Sequence, residues 1–340
     1  MAPTINNECG VNGILRSNSN AMEEEGEFHV AFVVIASIIL ISEFLFGLVF
    51  NIVVLVISLK SLKNADERGN TFISNLNVVD VVICLTAVPM TLTMVLTSRF
   101  KDALFCFFME GIISLVCVAS SMTLLMICLD RYYAVVTPTK RQVFTTKVTI
   151  VMALIWSLAF FAFCTPFIGF DQSTINSLST NKSLSCNQLM SSLGPYYFYE
   201  LFYVLTFAIT TIGMIMFFVA ILRVARKRVA IQAAVVAVSL SSQDQSRREF
   251  ARDQERKILR MSLVIVVTFM CLWGPHVAVT VVEMTMEGDL NLETAQLCCQ
   301  VVAYLTTIAH PLLYAFMRKK VRKALLQKLT REATIVPSTS

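Results

Sequence analysis

Residues 30–59 read VAFVVIASIILISEFLFGLVFNIVVLVISL, and Glu43 is the one charged side chain among them. An α-helix rises about 1.5 Å per residue, so roughly 20 apolar residues cross about 30 Å of hydrocarbon. Barrel strands alternate in polarity over about ten residues, whereas this run is apolar throughout. The segment is therefore predicted to be a transmembrane helix.

Six further apolar runs of similar length follow along the chain. Of the 340 residues, 56% are hydrophobic and 15% are charged, against roughly 45–50% and about 25% in soluble domains. The predicted fold class is an all-α membrane protein, a bundle of seven transmembrane helices with a short amphipathic C-terminal helix. The predicted spans are Val30–Leu59, Thr71–Thr97, Ala103–Leu129, Val148–Phe170, Leu201–Leu222, Met261–Val282 and Thr294–Met317.

The distribution of basic residues predicts the orientation of the bundle, because connections rich in Lys and Arg stay in the cytoplasm. Of the 28 Lys and Arg residues, 24 lie in the first, third and fifth connections and the C-terminal segment. We therefore expect an extracellular N-terminus over residues 1–28, the bundle over 29–317 and a cytoplasmic tail over 318–340. The outer segments then carry 4 basic and 11 acidic residues, a net charge of −7, and the cytoplasmic segments carry +16.

The cytoplasmic tail begins with a basic segment, MRKKVRKALLQKL, at residues 317–329. Val321, Leu325 and Leu329 recur in it at helical spacing among the cations. This pattern predicts an amphipathic helix on the anionic inner leaflet, with membrane lipids as its partner. A solvated tail helix is the alternative.

Several other functional classes find no support in the sequence. There is no C-x-x-C pair and there are only three His residues, so the spacing of a metal site is absent. No set of nucleophile, base and oxyanion donors can be assembled, so an enzyme is not expected. The basic excess lies on one face of the membrane, and we predict no cofactor, no metal and no nucleic-acid partner.

Several short motifs lie along the spans in a definite order. They are NLNVVD at Asn75–Asp80, CLDRYY at Cys128–Tyr133, Trp156, FMCLWGP at Phe269–Pro275 and HPLLY at His310–Tyr314. Cys106 lies at the outer end of the third span, and Arg131 of the second motif follows it 25 residues later in the same span. This ordered set resembles the rhodopsin-like (class A) G-protein-coupled receptors. Within them, NLNVVDVVIC, RMSLVIVVTF and HPLLYAF most resemble the orphan G-protein-coupled receptor 22 group.

The resemblance implies a multi-pass receptor of the plasma membrane that activates a heterotrimeric G protein through its cytoplasmic face. Arg131 would be held at rest by Asp130 and by Glu255 at the foot of the sixth span, then released to the G protein. A charge cluster that merely reaches from the membrane to water is the alternative for Arg131. The implied coupling and switch residues are Asp130, Arg131, Tyr132, Glu255, Phe269, Trp273, Pro275, Pro311 and Tyr314.

The sixth span is expected to transmit the signal of a ligand. Trp273 and Phe269, one turn apart, would form a rotamer relay, and Pro275 lets the helix bend because it lacks a backbone donor. Packing alone is the alternative role for Trp273. The fifth span departs from the family, with Thr210 in place of its proline and Phe218 in place of its tyrosine. These departures are typical of a divergent receptor with weak or ligand-independent signalling.

An internal polar pocket is implied around Asp80, because an intramembrane carboxylate is by default a candidate functional site. In the family this carboxylate belongs to a sodium pocket, and the residue before Pro311 is usually Asn or Asp, but here it is His310. Our hypothesis is that protonated His310 pairs with Asp80 and replaces the sodium ion. A neutral His310 bonded to backbone is the alternative. The pocket residues are Asn51, Asp80, Ser120, Thr306, Thr307 and His310.

Two modifications of the outer face are expected. The resemblance implies a disulfide between Cys106 and Cys186, in the oxidising extracellular space. The sequon Asn181-Lys182-Ser183 lies in the same outer connection as Cys186, which makes Asn181 a candidate glycosylation site.

The candidate ligand-binding residues lie in the outer half of the bundle. Ile113 stands where amine receptors carry an aspartate, and Tyr304 stands where opsins carry the lysine that holds retinal. Carboxylates beneath an acidic outer surface favour a basic extracellular ligand, such as a cationic peptide or polyamine. Alternatively, Glu110 and Glu200 pair with His276 or backbone and bind nothing. The candidate set is Glu110, Ile113, Glu200, His276 and Tyr304.

Two other classes of seven-helix protein compete with a receptor. A transporter or channel would show internal repeats, and the sequence contains none that we can detect. A non-signalling scaffold or heterodimer partner is the stronger alternative, and the departures in the fifth and seventh spans favour it. Basal second-messenger output would distinguish it from a receptor.

Overall fold

The computed structural model describes residues 30–61, 71–97, 103–140, 147–168, 186, 196–235, 242–285 and 290–317. Within these ranges, seven helices are long and apolar enough to cross a membrane. The predicted all-α bundle of seven transmembrane helices is therefore confirmed. The helices are α1 (Val30–Ser58), α2 (Thr71–Thr97), α3 (Ala103–Val135), α4 (Val148–Phe167), α5 (Phe198–Lys227), α6 (Arg256–Glu283) and α7 (Leu292–Tyr314).

Several helices are longer than their apolar runs. The backbone of α5 is helical over Tyr196–Val235 and that of α6 over Ser242–Glu283, so helix occupies most of the predicted fifth connection. Likewise, α3 continues past the predicted end at Leu129, whereas α4 ends before the predicted Phe170. Apolarity marks where lipid ends, but backbone hydrogen bonding continues in water because charged residues such as Arg and Lys are good helix formers.

Three of the seven helices are interrupted in the membrane. In α1, a π-helical turn, Glu43–Gly47, precedes the regular helix Leu48–Ser61. In α2, the helix pauses at Thr86, where the ring of Pro89 disfavours a regular preceding turn. In α7, Leu305 separates the helices Leu290–Tyr304 and Thr306–Met317. The interruption in α7 falls between Tyr304 and Thr306, both of which belong to the candidate site.

The third helix is the centre of the bundle. In its most apolar window, 72% of the residues of α3 are buried, against 22% in α1 and 28% in α4 and α5. It packs against α2, α4 and α5, while α1 packs against α2 and α7. Large apolar side chains such as Ile38, Leu154 and Ile209 are exposed on the outside of the bundle, as expected of a surface that faces lipid.

Some expectations fall outside the described residues. They are the N-terminal segment 1–28, the glycosylation site Asn181 and the tail 318–340 with its amphipathic helix.

Candidate functional site

A disulfide lies at the N-terminal end of α3, which the sequence predicts to face outward. Cys106 at the start of α3 is bonded to Cys186, and their Cα atoms are 5.4 Å apart. The predicted pairing is present, and it ties the connection between α4 and α5 to the central helix. The bond therefore holds Cys186 at the N-terminal end of α3, which is the rim of the candidate ligand site.

Acidic side chains meet beneath this rim. Glu110 of α3 accepts a hydrogen bond from the Tyr199 hydroxyl of α5, and its charged neighbour is Glu283 at the end of α6. Glu200, the residue after Tyr199, is buried, and so is Ile113 of α3. The structure thus brings α3, α5 and α6 together around Glu110, with two carboxylates in electrostatic contact.

Aromatic and polar groups form the floor of this site. The His276 ring hydrogen-bonds to the backbone of Gln296 on α7, and its centroid lies 6.2 Å from that of Tyr203. Its Nδ1 atom has no hydrogen-bond partner among the described residues. A ligand that reached this depth would meet an imidazole nitrogen with a free lone pair or proton.

Tyr304 is held in place by two partners that the sequence did not single out. The Gln300 amide donates to the Tyr304 hydroxyl at 2.6 Å and to the Thr91 hydroxyl at 3.1 Å. The two hydroxyl groups are themselves 3.2 Å apart. Gln300 lies one turn before Tyr304 on the same face of the helix, and this spacing is a signal that could have identified it.

A continuous row of aromatic rings leads from the floor toward the predicted cytoplasmic side. Trp273 contacts Tyr304, with centroids 6.5 Å apart, and stacks on Phe269 at 6.0 Å. Phe269 in turn lies 6.0 Å from Phe207 of α5. Pro275 follows in the same helix. The two residues of the predicted relay are therefore in contact with each other, with α5 and with α7.

The internal polar pocket is built around the contact between Asp80 and His310. Nδ1 of His310 lies 3.0 Å from Oδ2 of Asp80, and the side chains are 1% and 0% exposed. Ser120 of α3 is also buried. The hydroxyl group of Thr306 donates to the Ala303 carbonyl and accepts from the Trp273 indole at 3.4 Å. The predicted Asp80–His310 contact is thus present, while Thr306 is hydrogen-bonded to the aromatic row.

The same pocket extends to the first helix. The Asn51 amide donates to the Gly47 carbonyl at 2.9 Å and to the Thr307 carbonyl at 2.6 Å. A Cβ atom on Gly47 would lie 2.7 Å from Oγ1 of Thr307 and 2.8 Å from Sγ of Cys84. Only glycine therefore permits this approach of α1 to α2 and α7.

An ion pair lies at the predicted cytoplasmic end of α3. The Arg131 guanidinium pairs with Asp130, and the side chains are 12% and 2% exposed. The ring of Tyr132 lies 5.4 Å from Phe217 of α5. Pro311 and Tyr314 are buried in α7. The side chain of Glu255, the other expected partner of Arg131, lies outside the described residues.

Residues 50–314 match the family model described as 7 transmembrane receptor (rhodopsin family). The chain belongs to this family. It is 28% identical to human G-protein coupled receptor 22 over 87% of the chain and 79% of that protein. The zebrafish G-protein coupled receptor 22 is 27% identical over 93% and 78%. Mouse trace amine-associated receptor 8c is 28% identical over 79% of both proteins.

In this rhodopsin-family receptor, a further polar contact joins three helices. The Trp156 indole of α4 donates to Oδ1 of Asn75 at 2.9 Å, and the Asn75 amide donates to Thr123 of α3 at 2.8 Å. The sequence identified Trp156 and the NLNVVD motif separately, but it did not predict that they meet. The contact fixes the relative depth of α2, α3 and α4.

Proposed function

We propose that this receptor activates a heterotrimeric G protein through the cytoplasmic ends of α3, α5 and α6. The observation that carries the proposal is the Asp130–Arg131 ion pair beside α5. A guanidinium has a rigid fork of donors that binds either a carboxylate or incoming carbonyl groups. Coupling would therefore replace the contact between Arg131 and Asp130 with contacts between Arg131 and groups of the G protein.

The aromatic row supports a mechanism for this exchange. Trp273 contacts Tyr304 on the outer side and Phe269 on the inner side. Since these rings are close-packed, a shift of Trp273 displaces Phe269 against Phe207 of α5. Pro275 gives α6 a point at which to bend. A ligand would thus act on the cytoplasmic end of α6 without touching it.

A basic extracellular ligand is the second part of the proposal. Glu110 has another carboxylate, Glu283, as its charged neighbour, and like charges at one site favour binding of a cation. Glu200 is buried on the adjacent helix. One relative is named for trace amines, which agrees with this chemistry. The ligand class that we propose is an amine or a cationic peptide.

Neutralising the carboxylates tests the ligand class. The double variant Glu110→Gln, Glu200→Gln is expected to lose activation by a basic ligand, while its surface expression stays near that of the wild type. The matched control is Glu293→Gln, at the start of α7. Full activation of the double variant by the same ligand would contradict the proposal.

The orientation proposed from the basic residues places this acidic cluster outside the cell and Arg131 inside. Antibody accessibility of N-terminal and C-terminal tags on intact cells measures it directly.

The decisive experiment on coupling is a panel of G-protein activation sensors on the ligand-free receptor. We expect basal activation above that of mock-transfected cells, and a fall when Arg131 is replaced in Arg131→Ala. The control Lys147→Ala removes a cation next to the N-terminal end of α4, which lies on the same predicted side of the membrane as Arg131. It should leave basal activation unchanged. Equal output from the wild type and Arg131→Ala would instead favour a non-signalling scaffold or heterodimer partner.

A further inference from the structure

Another carboxylate, Glu43 of α1, is buried next to the internal polar pocket, and the proposed function does not use it. Its side chain is 0% exposed, and neither carboxylate oxygen has a hydrogen-bond partner among the described residues. Glu43 begins the π-helical turn Glu43–Gly47. A π turn takes one more residue than a regular turn, so it changes the direction in which the preceding side chains point. Such turns are frequent at functional sites.

The titratable groups around this turn come from the two helices packed against it, α2 and α7. They are Asp80 and Cys84 on α2 and Tyr304 and His310 on α7. Each of them has another partner. The Cys84 thiol donates to the backbone carbonyl of Glu43, 3.7 Å away. Tyr304 is bonded to Gln300, and Asp80 is paired with His310.

No Lys or Arg of these helices neutralises Glu43, and their basic side chain His310 is paired with Asp80. The segments 30–58, 71–97 and 292–314 contain neither Lys nor Arg. An ionised carboxylate without a hydrogen-bond donor or a counter-ion is strongly disfavoured in hydrocarbon. A hard cation such as sodium would need several oxygen ligands, whereas the side chains that interact electrostatically with Glu43 include the Cys84 thiol and the Tyr304 phenol. The remaining candidate for the positive charge is a proton.

We propose that Glu43 is a proton-binding site: its carboxyl group is protonated while α1 is packed on α2 and α7, and releases the proton when water enters this junction. The packed conformation then binds one proton more than a conformation in which the junction is open. By linkage, acid favours the packed conformation and alkali favours the open one. This inference stands independently of G-protein coupling.

Difference infrared spectroscopy tests the protonation state directly. The full-length receptor in lipid nanodiscs should show the carbonyl stretch of a protonated carboxylic acid at neutral pH. This band should weaken in Glu43→Gln and stay unchanged in the control Glu293→Gln. Absence of the band in the wild type would overturn the proposal even if Glu43→Gln does not fold. An unchanged band in a folded Glu43→Gln would overturn it as well.

A second test uses the midpoint of thermal unfolding. An exposed Glu ionises near pH 4.3, so unfolding of the wild type in mildly acidic to neutral buffer would release the proton from Glu43. The ratio of folded to unfolded wild type should therefore fall about tenfold per pH unit relative to Glu43→Gln. Parallel pH profiles would refute the proton site. A wild-type midpoint that rises with sodium, against choline at equal ionic strength, but not in Glu43→Gln would assign a metal cation instead.

Discussion

The Asp80–His310 pair predicts how the receptor responds to sodium. The two side chains are 3.0 Å apart and almost completely buried. If His310 supplies the positive charge that Asp80 needs, the wild type gains nothing from a sodium ion. The variant His310→Asn removes that charge and restores the residue that is common in the family at this position.

The expected size of the effect follows from the burial of the pair. Removing one partner of a buried ion pair costs about 3–5 kcal/mol, and the Asn side chain can still offer one hydrogen bond, so we expect about 3 kcal/mol. In a protein of this size that loss lowers the unfolding midpoint by about 5 °C in choline chloride. Sodium at about 100 times its dissociation constant would return about 2.7 kcal/mol.

The assay is thermal unfolding of the purified receptor in sodium chloride and in choline chloride at equal ionic strength. The wild type should have the same midpoint in both salts, and His310→Asn should be restored only by sodium. His276→Asn removes a buried histidine that does not contact Asp80, so it serves as the control and should show no sodium dependence. The reasoning is refuted if sodium stabilises the wild type as much as it stabilises His310→Asn.

Two further predictions concern contacts between helices. Gly47→Ala would place a Cβ atom 2.7 Å from Thr307 and 2.8 Å from Cys84, so we expect a loss of about 1–3 kcal/mol in stability. The additional change Cys84→Ala should recover part of this loss. If it recovers none, the clash with Cys84 is not the cause. Trp156→Phe keeps an aromatic side chain at this position but removes the indole N–H that donates to Oδ1 of Asn75. It should cost about 1–3 kcal/mol, and an unchanged unfolding midpoint would show that the hydrogen bond is not needed.

The seven spans could be predicted from the sequence because lipid imposes a simple condition. A segment that crosses hydrocarbon must be apolar for about 20 residues and must satisfy its backbone within itself. The runs such as Val30–Leu59 meet this condition, and the structure has a helix in each. Outside the lipid a helix need not be apolar. For this reason the sequence did not predict that α5 continues to Val235 or that the helix of α6 begins at Ser242.

The candidate site could be predicted only where a motif identified both members of a contact. The pair of Asp80 with His310 and that of Asp130 with Arg131 were expected and are present. The contacts of Tyr304 with Gln300 and Thr91 were not expected. They join helices distant in sequence, and nothing in the sequence around Thr91 states which helix it will face.

By itself, the sequence determined that this protein is a seven-helix membrane receptor, since apolar runs, basic connections and ordered motifs are all local properties. Only the tertiary structure decided which side of each helix faces the interior. In water, that side would be marked by apolar periodicity, but a helix in lipid is apolar on every side, so periodicity carries little information. Glu43 shows the consequence: its charge is plain in the sequence, but its burial against α2 and α7 depends on a π-helical turn and on packing against Gly47.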